Sequence, residues 1–102
     1  MSDGIEGTNS FTGTFGAADA VKKVRGYGVP ATITVIPGAG CTVKAQFTTS
    51  SEAAVDAATA TWVDWDDGAV TATTQAALIS PVTAVKFVRT VGANESTYEI
   101  CV

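Results

Sequence analysis

Histidine is absent from the 102-residue sequence, and leucine and methionine occur once each. Without imidazole the commonest general base is missing, together with every Ser-His or Cys-His nucleophile, so no catalytic residue is assigned and an enzyme is not expected. The two cysteines, Cys41 and Cys101, match no metal-ligand spacing. With no histidine to help, a zinc site would have to be built from carboxylates, so neither a metal nor a cofactor is called for. Both thiols are read as half-buried small apolar groups in a reducing compartment, able to oxidise only if they lie on neighbouring strands.

Large aliphatic side chains are scarce as well. The 46% hydrophobic fraction rests on seventeen Ala and thirteen Val, with eight aromatics. Small side chains bury little area each, and at about 25 cal/mol per Å² a core of this kind gives a lone protomer marginal stability. Support from a partner is expected.

Positive charge is sparse, six basic against ten acidic residues for a net charge of −4, and its one concentration is Lys22, Lys23 and Arg25. Phosphate backbones need a concentrated cationic face, so nucleic acid is a poor candidate partner and none is expected. No run approaches the roughly 18 apolar residues of a membrane span. Met1, Ser2, Asp3 and Gly4 lack the basic and apolar parts of a signal peptide, so no membrane partner is expected and a cytoplasm is the expected place of assembly.

What the chain does contain is Thr, Val, Gly and Ala in short alternating runs. Residues 1–16 are rich in Gly, Ser and Thr, with only Ile5, Phe11 and Phe15 as apolar points. They read as an extended N-terminal arm anchored by the two Phe, wrapping its own domain or reaching a neighbour. Residues 17–102 read as one domain. Strands are expected over 21–27, 31–36, 41–49, 59–65, 69–74, 82–91 and 96–102, separated by Gly, Pro, Asn and Asp. Pro37, Gly38, Ala39 and Gly40 are expected to turn 31–36 back on 41–49 as a hairpin, and Asp66, Asp67 and Gly68 to make a second. In the 41–49 run Val43, Ala45 and Phe47 share the core face. Residues 51–58, with Ser51 at an N-cap position, read as a loop or a single helical turn, and 75–79 is ambiguous. About seven strands and no helix long enough for a crossover make the fold all-β: a single antiparallel β-sandwich of jelly-roll type with an extended arm.

Three groups of residues invite chemistry. Asp64, Asp66 and Asp67 cluster, which invites a glycosidase-like carboxylate pair or a calcium turn, but a solvated turn following a strand accounts for them without either. The calcium spacing also fails, since Gly68 stands fifth from Asp64 and Gln75 takes the place of the closing Glu. Trp62 and Trp65, three apart on a strand, face opposite sides, one inward and one outward. The outward one, with Tyr27, could anchor a protein interface or stack on a sugar. Lys22, Lys23 and Arg25 form a basic edge that either guards a strand against addition or docks an acidic neighbour. The interface candidates are therefore Phe11, Phe15, Lys22, Lys23, Arg25, Tyr27, Trp62 and Trp65.

The run Trp62-Val63-Asp64-Trp65-Asp66-Asp67-Gly68-Ala69-Val70, then Ser80-Pro81-Val82-Thr83-Ala84-Val85-Lys86-Phe87 and Thr97-Tyr98-Glu99-Ile100, resembles small β-sandwich virion proteins of tailed bacteriophages, of the head-decoration (cement) or fibre-module type. The similarity is one of texture over about the last seventy residues, with no motif matched position by position. It implies a β-rich, often trimeric homo-oligomer on the capsid surface of the virion, assembled in the host cytoplasm and clamping the major capsid protein or another virion protein. The alternatives are a small carbohydrate- or receptor-binding module of a tail fibre, and a tail or connector component.

Overall fold

In the computed structural model, which describes residues 10–24 and 30–101, the protein is built from two four-stranded antiparallel sheets. The strands are β1 (Ser10–Phe15), β2 (Ala20–Lys23), β3 (Ala31–Ile36), β4 (Thr42–Thr48), β5 (Val63–Asp64), β6 (Thr74–Leu78), β7 (Ala84–Val91) and β8 (Ser96–Cys101), with a short helix α1 (Glu52–Asp56) between β4 and β5. One sheet, sheet A, runs β1-β8-β3-β6; the other, sheet B, runs β2-β7-β4-β5. The antiparallel pairs β1–β8, β2–β7, β3–β6 and β4–β5 form a nested ribbon. Its folding brings β3 beside β8 and β4 beside β7.

The period-two pattern puts one face of each sheet inward. Across sheet A, Phe11, Ile100, Ile33 and Ala76 are register partners in one row, and Gly13, Tyr98, Val35 and Thr74 form the next. Across sheet B the corresponding rows are Ala20, Phe87 and Ala45, then Lys22, Val85, Phe47 and Val63. Phe87 is fully buried at the centre, stacked on Tyr98 at 4.3 Å between ring centroids and tilted against Phe15 at 5.7 Å. Aromatic packing supplies the bulk that Ala and Val lack. Gly13 gives Tyr98 its room, since a Cβ there would come within 2.6 Å of the Tyr98 ring.

Several expectations change here. Residues 10–15 of the expected arm form a sheet strand, paired along its whole length with β8, and Phe15 is buried in the core. Residues 1–9 of the expected arm lie outside the described residues, as do Arg25 and Tyr27. The hairpin between β3 and β4 does not form, because β3 lies in sheet A and β4 in sheet B. Residues 37–40 instead cross between the sheets beside the β7–β8 connection, which crosses back. Gly38 N–H donates to Ser96 Oγ at 2.9 Å and Asn94 Nδ2 donates to the Ala39 carbonyl at 2.7 Å, tying the two crossings together.

Residues 51–58 contain α1, capped by Ser51, whose Oγ accepts from Ala54 N–H at 3.1 Å. Such a cap satisfies one of the donors a helix start leaves unpaired. Cys41 is buried, with its thiol donating to the Asn94 carbonyl at 3.1 Å, while Cys101 is exposed on β8, and both are free thiols.

Candidate functional site: an acidic groove between β5 and β6

Sheet B ends at β5 and sheet A ends at β6, and between these two edges the inter-sheet space opens to solvent. The resulting groove has a volume of about 530 Å³ and is lined by Phe47, Val63, Asp64, Trp65, Asp66, Asp67, Ala76 and Ala77. It opens because the inward row of sheet A ends on Ala76, whose single methyl leaves the space over Phe47 unfilled. Leu78, the next inward residue of β6, closes the core beside it.

The acidic rim follows from the local backbone. Trp65 N–H donates to the Ala45 carbonyl at 3.0 Å, continuing the β5 pairing for one residue. The chain then turns: Gly68 N–H donates to the Trp65 carbonyl at 3.2 Å, and Gly68 takes φ +64, the left-handed region where glycine meets no Cβ penalty. Val70 rejoins β4 as a bridge to Val43. The expected second hairpin is therefore absent, with 63–70 running along β4 and the turn bulging outward, where Asp66 and Asp67 are exposed. Beneath the turn Trp65 is only 4% exposed, and its indole N–H donates to the Gly68 carbonyl. A buried Trp with its N–H satisfied is a core residue that holds the turn in place.

Trp65 is thus the inward tryptophan and Trp62 the half-buried one. Over the Trp62 ring lies Lys86 Nζ, 4.6 Å from the centroid, on the outer face of sheet B. There Lys86, Gln46 and Asp64 are register partners. Asp64 Oδ1 accepts from Gln46 Nε2 at 2.7 Å and lies 3.1 Å from Lys44 Nζ. The hydrogen bonds from Gln46 and Lys44 hold its carboxyl below the ordinary aspartate value of 3.8. The sign follows directly: the stability these contacts add is complete above the unfolded value and lost as pH falls through the lower folded one. Unfolding midpoints of the wild type and Asp64→Ala, measured against pH, are expected to differ at neutral pH and to converge only below pH 3.8.

The basic candidates sit at the opposite edge. Lys22 opens the inward row that ends on Val63, and its Nζ lies 4.1 Å from the centroid of the Phe11 ring. A cation over an aromatic face is an attractive contact at this edge of the sandwich. Lys23 pairs with Asp56 of α1 at 2.6 Å, which raises its pKa. The structure therefore brings Phe11 and Lys22 together, separates both from Trp62, and places Phe15 and Trp65 inside. Phe47, Ala76 and Val63 of the groove escape a sequence reading, since nothing in the chain shows that β5 and β6 end side by side. Among the described residues no three His, Cys, Asp or Glu side chains gather as metal ligands would.

The chain matches no protein-family model, no curated protein and no solved structure.

Proposed function

We propose that the chain is a non-catalytic virion structural protein, a jelly-roll domain that decorates the capsid surface of a tailed bacteriophage and binds the major capsid protein and copies of itself. The observation that carries this reading is the strand order, β1-β8-β3-β6 over β2-β7-β4-β5. A ribbon of four nested pairs rolled into two sheets is what a jelly roll is, and this architecture recurs in viral capsid and lectin domains. Two features favour the capsid branch. A lectin stacks sugar on an exposed aromatic face, and the tryptophan in the groove is enclosed by its own turn. The Asp64 carboxylate is taken up by Gln46 Nε2 at 2.7 Å and Lys44 Nζ at 3.1 Å, which suits a structural rim better than a carboxylate pair poised for glycoside cleavage. The chemistry left to the domain is adhesion, for which a small sandwich with polar faces and a partner-assisted core is suited.

Gold-labelled antibody applied to particles from a culture producing the protein tests this reading. Regularly spaced label on the heads is the expected result. Label that stays in the cytosolic fraction, with none on particles, overturns it.

A further inference from the structure

One wall of the groove is an open strand edge. β6 (TQAAL) pairs with β3 on one side and ends sheet A on the other. Among the described residues, none of Thr74–Leu78 makes a hydrogen bond or ion pair outside that pairing, apart from Thr74 Oγ1, which donates to the Ala72 carbonyl at 2.9 Å. The strand has neither charge nor proline, and no charged residue occurs between Asp67 and Lys86, so the usual devices that deter strand addition are missing. Beside this edge lies an apolar floor of Phe47 and Ala76, with Val63 63% exposed at the lip. The rim carries free charge. Asp64 is taken up by Gln46 and Lys44, whereas Asp66 and Asp67 are exposed and have no ion pair among the described residues.

We infer that the groove binds an extended basic segment of a different protein chain, added to β6 as a further strand, with an aliphatic side chain over Phe47 and Lys or Arg two residues away at Asp66 and Asp67. This deepens the adhesive reading above and rests on it. In a strand laid along β6, side chains alternate between the faces of the sheet. The residue opposite Ala76 shares its inward face and enters the space that the Ala76 methyl leaves open. Residues two places away, about 7 Å along the strand, stay on that face. Lys and Arg can lay an aliphatic stem on an apolar wall and carry their charge out to a rim. Main-chain bonds to a sheet edge give such a segment affinity, and pockets for alternate side chains give it specificity.

Charge decides against a second copy in this groove. Pairing β6 with β6 would bring two Asp66 and Asp67 rims together, and like charges so placed repel. The basic strand of the chain, β2, is already engaged: it pairs with β7, its Lys23 lies 2.6 Å from Asp56, and its Lys22 lies over the Phe11 ring. The net charge of −4 also favours a cationic partner over another copy. Size agrees. The groove volume of about 530 Å³ falls within the range of clefts that enclose a ligand, about 300–1,000 Å³.

Capped peptides titrated into the isotope-labelled protein and followed by NMR test the inference. The probe TKTVTKT sets Lys, Val and Lys on one face of a strand. It is expected to bind saturably, to shift amides within 63–67 and 74–78, and to slow hydrogen exchange at alternate residues of β6. TETVTET reverses the charge and TKTSTKT removes the aliphatic contact, and each is expected to bind several-fold more weakly. Asp66→Lys with Asp67→Lys is expected to reverse the order of the lysine and glutamate peptides. Ala76→Leu, which fills the space over Phe47, is expected to abolish binding of TKTVTKT. Both Asp positions are exposed, so the charge swap decides the matter even where Ala76→Leu disturbs the fold. No saturable binding of TKTVTKT, shifts centred elsewhere, equal binding of either control peptide, or an order unchanged by the charge swap overturns the inference.

Salt provides a check that needs no variant. Raising ionic strength from about 0.01 to about 0.15 M shortens the Debye length from about 30 to about 8 Å. Binding of TKTVTKT is expected to weaken several-fold over that range, and binding that strengthens with salt overturns the inference. Failure here is distinguishable from failure of the capsid reading: a protein that labels heads yet does not bind the peptide overturns only the inference, and one that binds the peptide but is absent from particles overturns only the capsid reading.

Discussion

Replacing Phe87 by alanine is expected to remove most of the folding free energy of the isolated domain. The side chain is fully buried, is stacked on Tyr98, and lies at the centre of the sheet B inner face between Ala20 and Ala45. Its register partners are single methyl groups that cannot move in to fill the space. Phe→Ala at such a site costs about 3–5 kcal/mol in lost burial and residual cavity. Small domains have about 5–15 kcal/mol in total, and one whose core is mostly Ala and Val belongs at the lower end of that range. Urea titration followed by circular dichroism measures the loss. A change in unfolding free energy below about 1 kcal/mol would show that the core can collapse around the gap.

The second large effect is expected at Gly92, where the chain leaves β7 to cross into sheet A. Gly92 has φ +109, and a Cβ there would lie 2.7 Å from Cys41 Sγ, 2.8 Å from Cys41 Cα and 2.9 Å from the Gly40 carbonyl oxygen. Two of these three are backbone atoms, and Cys41 is held by its N–H bond to the Gly38 carbonyl and its thiol bond to the Asn94 carbonyl. Gly92→Ala therefore adds backbone strain of about 1–3 kcal/mol to an overpacking cost of about 1–3 kcal/mol. Gly40→Ala is the control. Its φ is +73 but no atom lies within 4 Å of the added Cβ, so it carries the strain without the clash. Thermal melts are expected to rank wild type above Gly40→Ala and Gly40→Ala above Gly92→Ala. Equal melting temperatures for the two variants would remove the steric argument.

The positions of many strands were legible in the sequence, because a strand's inward and outward alternation is local. β3 occupies 31–36 as the Thr-Ile-Thr-Val pattern requires, and Val43 and Ala45 of β4 face the core as their spacing predicts. Strand partners were not legible. Pro37 to Gly40 has the composition of a hairpin turn, but its hydrogen bonds run to 94–96, and nothing in the turn's own residues distinguishes turning back from crossing to the other sheet. β6 stays ambiguous in the sequence because its inward residues are Thr74, Ala76 and Leu78, two of them too small to stand out against the Gln75 and Ala77 between them. Residues 59–62 carry β-favouring side chains but have no strand opposite, so β5 shrinks to two residues. Of the groove, the acidic turn was visible as Asp64, Asp66 and Asp67, while its apolar floor comes from β4 and β6 and appears only once the ribbon is rolled.

The nesting of that ribbon also orders events during synthesis. The outermost pair, β1 with β8, joins the first strand to the last, so β1 emerges long before its partner exists and must wait unpaired while the chain lengthens. The innermost pair, β4 with β5, can close early around α1, and zippering can then proceed outward through β3–β6 and β2–β7. Chains whose decisive contacts span so much sequence fold slowly and expose unpaired strands meanwhile. A ribosome stalled before residue 96 would hold a domain whose first sheet is split, with β1 and β3 on either side of a missing middle strand.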